Sequence, residues 1–225
     1  MKKLIVSGLI GFLLFGSSAY SKEVVSADKK DEAQNELRSL LNKYGNFSAS
    51  FVQEVKDSEE QVLHTAKGQL LFKQPGQFLW QVNEPEPETL VSNGATLWWH
   101  NPFVEQVSIF DAKDAVATTP FALLVSQDDN VWDSFDIGKV DSGYIVRSQD
   151  ENSQVLALIV KFRNDVLQSI AVRSRSERIS HYSLNEQSFK LPSSVSFNFD
   201  VPVGTEIDDQ RSEAQQLTSD GNVQF

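Results

Sequence analysis

The stretch LFKQPGQFLWQVNEPEPETLVSNGATLWWHNPFVEQVS, residues 71–108, decides the fold of this chain. It holds three of the four tryptophans and three phenylalanines, yet prolines and the turn pairs Pro75-Gly76 and Asn93-Gly94 interrupt it. Aromatic runs bounded by such turn pairs predict short strands joined by tight turns. These strands carry more large apolar surface than short strands usually need. The aromatic side chains therefore either fill an ordinary core or line a space that another molecule occupies.

The same alternation of apolar and polar residues extends to both sides of this stretch, and it predicts strands with one buried face. Turn-forming residues separate the strands at regular intervals, which indicates an antiparallel meander. The predicted strands are Phe47–Val55, Ala66–Lys73, Gln77–Val82, Thr89–Ser92, Thr96–His100, Gln106–Phe110, Phe135–Val140, Tyr144–Ser148, Val155–Phe162, Val166–Arg173, Arg178–Leu184 and Val195–Val201.

Helical segments are predicted in front of the strands and, twice, in one gap between them. An amphipathic helix is predicted over Asp31–Tyr44, a short helical turn over Asp111–Val116 and a second helix over Pro120–Ser126, followed by a polar loop at Asp128–Asn130. A long row of antiparallel strands must hide its edges by closing or by being covered. We therefore predict a mainly β (α+β) fold, an incomplete antiparallel β-barrel with an α-helical lid that encloses an apolar cavity.

The N-terminal residues 1–21 have the pattern of a secretory signal peptide. Lys2 and Lys3 precede an apolar run from Leu4 to Phe15, and small residues end the segment at Ser21. We expect an exported protein with a single domain over residues 22–212. The last residues, 213–225, are polar and are expected to form a disordered tail.

Charge and cysteine content narrow the class of protein. The chain has no cysteine, so it must fold without disulfides and cannot be lipidated after the apolar run. Removing residues 1–21 removes only Lys2 and Lys3 among charged residues, which takes the net charge from −11 to −13. An acidic surface disfavours nucleic acid as a partner. The charge alone is also consistent with an ordinary acidic exported protein.

Sequence patterns for catalysis or cofactor binding are missing. The three histidines, His64, His100 and His181, are far apart and have no second ligand at a usual metal spacing. No serine-nucleophile elbow, phosphate-binding loop or dinucleotide-binding glycine pattern occurs. We therefore expect no enzyme, no metal and no cofactor. A binder of apolar ligands remains the favoured class, and an adaptor that presents an aromatic sheet edge, or a general lipid or glycolipid binder, remains the alternative.

The apolar side chains fall into two groups on this hypothesis. Trp98 and Trp99 point to opposite faces of one strand, so at most one of them can face the cavity. Ordinary core packing remains the alternative role for each residue. The side chains expected to line the cavity are Phe78, Trp80, Leu90, Trp98 or Trp99, and Phe103. Those expected to belong to the lid are Leu37, Leu40, Leu41, Phe121 and Leu124.

Six fragments, in chain order, resemble the outer-membrane lipoprotein carrier family of the LolA type. They are Phe47–Gln53, Gly68–Trp80, Leu90–Trp98, Asn101–Gln106, Thr119–Phe121 and Asp208–Gln210. The resemblance implies an incomplete barrel with a helical lid and a carrier without catalytic activity. It also implies a monomer in the periplasm that takes triacylated lipoproteins from an inner-membrane ABC transporter and passes them to an outer-membrane receptor lipoprotein.

One position departs from the family pattern. The family usually has arginine after the lysine of K-R-P, where it bonds the lid and holds the empty form closed, whereas this chain has Gln74. Glutamine can donate hydrogen bonds, but it lacks the charge and the five donors of a guanidinium. The sequence therefore predicts a lid latch at Gln74 that closes less tightly than arginine would.

Overall fold

The computed structural model describes residues 27–43, 45–113, 124–151 and 153–212. The predicted signal peptide and C-terminal tail lie outside these residues. The described part contains two helices, α1 Ala27–Asn42 and α2 Asp129–Asp133. Its strands are β1 Asn46–Lys56, β2 Val62–Lys73, β3 Gln77–Glu84, β4 Glu88–Asn93, β5 Thr96–Asn101, β6 Gln106–Asp111, β7 Phe135–Val140, β8 Gly143–Ser148, β9 Val155–Arg163, β10 Val166–Ser174, β11 Ile179–Ser188 and β12 Glu206–Asp209.

All twelve strands belong to one open sheet with the order β12-β6-β5-β4-β3-β2-β1-β11-β10-β9-β8-β7. Neighbours are antiparallel, except that β12 runs parallel to β6. The long strand β1 joins the two halves because it pairs with β2 on one side and β11 on the other. Since β12 and β7 remain edges, the barrel is incomplete, and the prediction of a mainly β, incomplete barrel with a helix is confirmed.

The inner face of the sheet is the face that carries the hydrophobic core. One cluster of buried side chains joins α1 to strands of both halves, from Trp80 on β3 to Val146 on β8. A flat sheet could not bring such distant strands to one helix, so the sheet curves around α1. Ala33, Leu37 and Leu41 reach this core because they repeat every four residues along one side of α1.

The outer face of β2–β6 is covered separately. Leu71, Val91 and Val107 are buried but lie outside the inner core. The chain after β11 crosses this face: Asn93 donates a hydrogen bond to Asn198 at 3.3 Å, and the ring of Phe199 lies 5.2 Å from that of His100. The chain after β11 therefore covers part of the outer face of this half of the sheet.

The strand predicted over Val195–Val201 is wrong. These residues pair with no neighbouring strand, although Phe197 is buried and burial alternates along the segment. The alternation arises because an extended chain lies on the outer face of the sheet through its side chains. The strand at this end is β12, further along, where the backbone of Glu206–Asp209 pairs with β6.

Two helix boundaries also differ from the prediction. Helix α1 begins at Ala27 and ends at Asn42, and Tyr44 lies outside the described residues. Of the loop expected at Asp128–Asn130, Asp128 is the N-cap of α2 and the other two residues begin that helix. The Asp128 carboxylate accepts a hydrogen bond from the Asn130 backbone N–H at 2.9 Å, which caps a short helix that has little periodicity to predict it.

The two mid-chain predictions fall mostly on residues that the structure does not describe. Asp111 ends β6 instead of starting a helical turn, and residues 114–116 lie outside the described part. Residues 120–123 of the second predicted helix also lie outside it. The part that follows, residues 124–133, is called the covering segment below, because its Leu124, Val125 and Trp132 join the inner core.

Candidate functional site

The centre of the inner face is filled by three packed aromatic rings. Phe51 stacks on Trp80 with 4.0 Å between ring centroids and 15° between planes, and Tyr182 meets Trp80 edge-on at 4.7 Å. Offset stacking and edge-on contact are the favoured aromatic geometries. Burial raises the pKa of the Tyr182 hydroxyl far above its usual range, so this group stays neutral.

An apolar row runs outward from this centre across β3, β4 and β5. The strand register places Trp80 opposite Leu90 and Leu90 opposite Trp99, so all three share the inner face. Trp80 is buried and Leu90 half-buried, whereas Trp99 is 41% exposed. The row thus leads from the protein core to solvent along one face. Phe78, also predicted to line the cavity, is buried within the core.

Trp98 must be removed from the predicted cavity lining. It pairs with Val91 and Ile109 and so points to the outer face, because successive residues of a strand alternate. The expectation that at most one of the two tryptophans faces inward therefore leaves Trp99.

Phe103 lies away from the row, in the turn between β5 and β6, where it is 66% exposed. It lines a cavity of about 230 Å³ together with Ala66, Val82 and Gln53. The strand register puts those three residues on the inner face. This small cavity is therefore an opening at one end of the inner face, and Phe103 lies at its rim.

The predicted lid side chains cover the other part of the inner face. Leu37, Leu41 and Leu124 are buried in the core, and Leu40 packs against it. Phe121 lies outside the described residues. Sequence reasoning missed Trp132, which is 1% exposed and donates its indole N–H to the Ser126 carbonyl oxygen at 2.8 Å. The sequence feature that could have indicated the burial of Trp132 is that it is a lone tryptophan in a polar stretch.

A larger cavity of about 560 Å³ lies where the covering segment meets the ends of β3 and β4. Its walls mix apolar side chains, such as Phe78 and Val131, with polar ones, such as Ser92 and Gln127. This volume is within the range of small-ligand sites. Open space is thus found at two ends of the inner face, whereas between them the face is filled by aromatic rings of the sheet and by side chains of α1 and the covering segment.

Amide groups tie the covering segment to its surroundings. The Gln127 side-chain N–H₂ donates to Asn42 Oδ1 of α1 and to Gln74 Oε1, both at 2.8 Å. The Gly76 backbone N–H donates to the Val125 carbonyl oxygen at 3.0 Å. Gln74 Nε2 is buried and has no hydrogen-bond partner in the described structure. The predicted latch position therefore contributes one neutral hydrogen bond through its oxygen.

A charged cluster attaches α1 to β7 and β8. Lys139 donates to Glu36 at 2.8 Å and lies 3.5 Å from Glu32, and the Tyr144 hydroxyl donates to Glu36 at 3.0 Å. The hydrogen bond from Lys139 lowers the pKa of Glu36. Burial and the Glu36 carboxylate raise the pKa of Tyr144 to about 12, and the bond to Glu36 raises the pKa of Lys139. The cluster is therefore fully formed at neutral pH.

This cluster predicts a pH dependence for the attachment of α1. Because the pKa of Glu36 is lowered from 4.5, its stabilising effect is complete above pH 4.5 and is lost as the pH falls through the folded-state value. Hydrogen exchange should show α1 amides losing protection below pH 4.5 in the wild type. In Glu36→Gln the protection should already be lower at pH 7 and should change less on acidification. Equal acid sensitivity in both proteins would contradict this role.

Two properties of the described residues bear on the class of site. No group of three or more His, Asp or Glu side chains is close enough there to hold a metal ion. Neither helix there combines the length and the apolar character that crossing a membrane requires. The features that stand out are the apolar inner face and the segments that cover it.

Comparison with known proteins gives consistent matches over most of the chain. The family model described as outer membrane lipoprotein carrier protein LolA matches residues 42–200. The outer-membrane lipoprotein carrier protein of Proteus mirabilis is 32% identical over 211 residues, which cover 94% of this chain and 100% of that protein. The protein of the same name from Idiomarina loihiensis is 35% identical over 190 residues, 82% of this chain and 90% of its own.

The solved structures that match are much more distant in sequence. A LolA superfamily protein from Nitrosomonas europaea matches with a TM-score of 0.45 at 10% identity, covering 76% of this chain and 98% of that one. MucB matches with a TM-score of 0.43 at 8% identity, covering 81% and 66%.

Proposed function

Since the chain belongs to the outer-membrane lipoprotein carrier (LolA) family, we propose that it is a non-enzymatic carrier that shields the acyl chains of lipoproteins in the periplasm and delivers them to the outer membrane. One observation carries the proposal beyond family membership. The apolar row from Trp80 through Leu90 to Trp99 passes from the core to solvent on a face that α1 and the covering segment close only in part.

The energetics favour exchange of contacts over permanent binding. Burial of an acyl chain is worth about 0.8 kcal/mol per CH₂, or roughly 10 kcal/mol for a long chain. A rigid, fully matched pocket would therefore release its cargo very slowly. Here an incoming acyl chain must displace Leu37, Leu41 and Leu124, which are buried in the empty protein. Their apolar surface becomes exposed to water as the apolar surface of the ligand becomes buried. That competition keeps the net affinity modest and transfer reversible.

The partners follow from this role. A carrier that must collect acylated protein from one membrane and release it at another needs a donor and an acceptor, and we propose an inner-membrane ABC transporter and an outer-membrane receptor lipoprotein. The cargo is a triacylated lipoprotein, and the carrier acts as a monomer. Several apolar side chains stay exposed around the opening, among them Phe103 and Val104, at 66% and 62%. They would be available to such partners.

Two measurements test the proposal. The purified protein should bind a neutral apolar dye such as N-phenyl-1-naphthylamine stoichiometrically, and an acylated lipopeptide should displace it, whereas the same peptide without acyl chains should not. Depletion in cells should leave outer-membrane lipoproteins at the inner membrane. A protein that binds no dye yet retains envelope proteins in a pull-down would instead be an adaptor, and correctly sorted lipoproteins after depletion would also contradict the carrier role.

Position 74 offers a direct test of lid closure. In Gln74→Arg, a guanidinium can donate to the Gln127 side-chain oxygen once the amides of Gln127 and Asn42 both turn over, so that Asn42 then donates to the same oxygen. Charged hydrogen bonds are stronger than neutral ones by about 1 kcal/mol. Dye association should therefore slow about fivefold. Gln74→Met, which has similar length but no hydrogen bond to Gln127, should speed association. Unchanged rates in both variants would show that position 74 latches nothing.

A further inference from the structure

Arg38 connects α1 to three parts of the covering segment. Its guanidinium forms an ion pair with the Asp129 carboxylate at 2.6 Å and donates to the Gln127 carbonyl oxygen at 3.3 Å. The same group lies over the Trp132 ring, 5.3 Å from its centre. A guanidinium suits this combination because it is planar, permanently charged and able to donate in several directions at once.

The other contacts of the covering segment are of a different kind. Its side-chain and backbone hydrogen bonds to Asn42, Gln74 and Gly76 join neutral groups. Arg38 acts on the same residue, Gln127: it binds the backbone carbonyl oxygen, whereas the side-chain amide reaches Asn42 and Gln74. Release of the guanidinium would therefore also disturb the alignment of the two amide bonds.

We propose that Arg38 is a positioning residue that holds the covering segment over the inner face and so sets how fast this face opens to an apolar ligand. The proposal rests on the carrier function. On this proposal, the charged contact that keeps the covering segment closed comes from α1, and the neutral contact at position 74 is secondary. Leu124 and Trp132, which flank Gln127 in the chain, are buried in the core, so movement of the segment would uncover apolar surface directly.

The exposure of Asp129 makes the ion pair sensitive to salt. The Arg38 side chain is 23% exposed, whereas that of Asp129 is 80% exposed. A pair with one solvent-exposed partner is weakened by added salt, since ions screen exposed charges over about 10 Å at 0.1 M. Opening of the wild-type protein should therefore become faster as ionic strength rises, although salt strengthens apolar packing in general.

The kinetic test uses Arg38→Gln and follows association of N-phenyl-1-naphthylamine by stopped-flow fluorescence. The dye should associate with the variant about threefold to tenfold faster. This is the change in rate expected when the stabilisation from one exposed ion pair and one cation–π contact is removed from the closed form. Its rate should no longer rise between 0.05 and 0.5 M NaCl. Arg38→Lys should lie between the variant and the wild type. The matched control is Lys43→Gln, which removes a cation just beyond the end of α1, where Lys43 pairs with Asp165 at 2.8 Å. This variant should keep the wild-type rate and salt dependence.

A second measurement needs no ligand. Hydrogen exchange of the backbone amides of residues 124–133 should be faster in Arg38→Gln, by a similar factor, whereas amides of β9 and β10 should be unchanged. Arg38→Gln with wild-type exchange in this segment, or with a wild-type rate and salt profile for dye association, would overturn the proposal. If the wild-type protein binds no dye, the carrier function fails, and the exchange result alone decides the role of Arg38.

Discussion

Replacing Leu37 by alanine is expected to destabilise the empty protein and, at the same time, to strengthen its binding of apolar ligands. Leu37 is fully buried between α1 and the inner face. Leu→Ala at such a site lowers the free energy of unfolding by about 2–5 kcal/mol. In a carrier, the contacts that this substitution removes are contacts that a ligand must displace in order to bind. Because the ligand then competes with fewer contacts, dye affinity should rise by up to about tenfold, or roughly 1.4 kcal/mol.

Leu71→Ala is the matched control for this prediction. Leu71 undergoes the same chemical change and is also buried, but it lies on the outer face and outside the inner core. It should lower the urea midpoint to a similar extent and leave dye affinity unchanged. If both variants lose or both gain affinity, binding follows general stability. If Leu37→Ala weakens binding specifically, then the inner face beneath α1 is not the ligand site.

The sheet could be predicted from the sequence because each strand carries its own signal. In β1, for instance, Phe47, Ala49 and Phe51 alternate with half-exposed residues, and the structure buries that set against the core. The period of two identifies both the strand and its inner face. The same period of two predicts the strands Gln106–Phe110 and Phe135–Val140.

Features that depend on partners distant in the chain could not be predicted. Val195–Val201 has the alternation of a strand but lies on the sheet as an extended chain, and the backbone that pairs with β6 is that of Glu206–Asp209. The pattern indicates which side chains are buried, but it does not indicate which backbone groups form hydrogen bonds with each other. The acidic composition of Glu206–Asp209 gave no sign of a strand.

The contacts that close the candidate site show the same limit. Helical spacing identified Leu37 and Leu41, because burial follows a local period. The pairing of Arg38 with Asp129 spans 91 positions, and that of Gln127 with Asn42 spans 85. Polar pairs of this kind have no period, so neither Arg38 nor Gln127 could be distinguished from other surface residues. The resemblance to a family points to position 74, whose side chain accepts one neutral hydrogen bond from Gln127 in the described structure.

Gly68→Ala should be the most damaging small substitution on the inner face. A Cβ atom at this position would lie 2.0 Å from the Gln81 carbonyl oxygen and 2.5 Å from the tip of the Phe51 ring. Gly68 stands directly opposite Phe51 in the ladder between β1 and β2, so the ring lies where a side chain would otherwise be. Glycine is therefore required by the close approach of the ring and of the neighbouring backbone.

An added methyl group cannot be accommodated here by the movement of one flexible side chain. The Gln81 oxygen belongs to β3, and Phe51 is held by its stacking on Trp80. Overpacking of this kind costs about 1–3 kcal/mol, and separation of the stacked rings adds about 1 kcal/mol, so urea unfolding should give a loss of about 2–4 kcal/mol. The near-ultraviolet circular dichroism of the aromatic cluster should also decrease.

Gly45→Ala is the control, because no atom lies within 4 Å of its Cβ position, and its stability should stay within about 0.5 kcal/mol of the wild type. Equal stability of the two variants would mean that the Phe51 ring does not pack over Gly68 in solution.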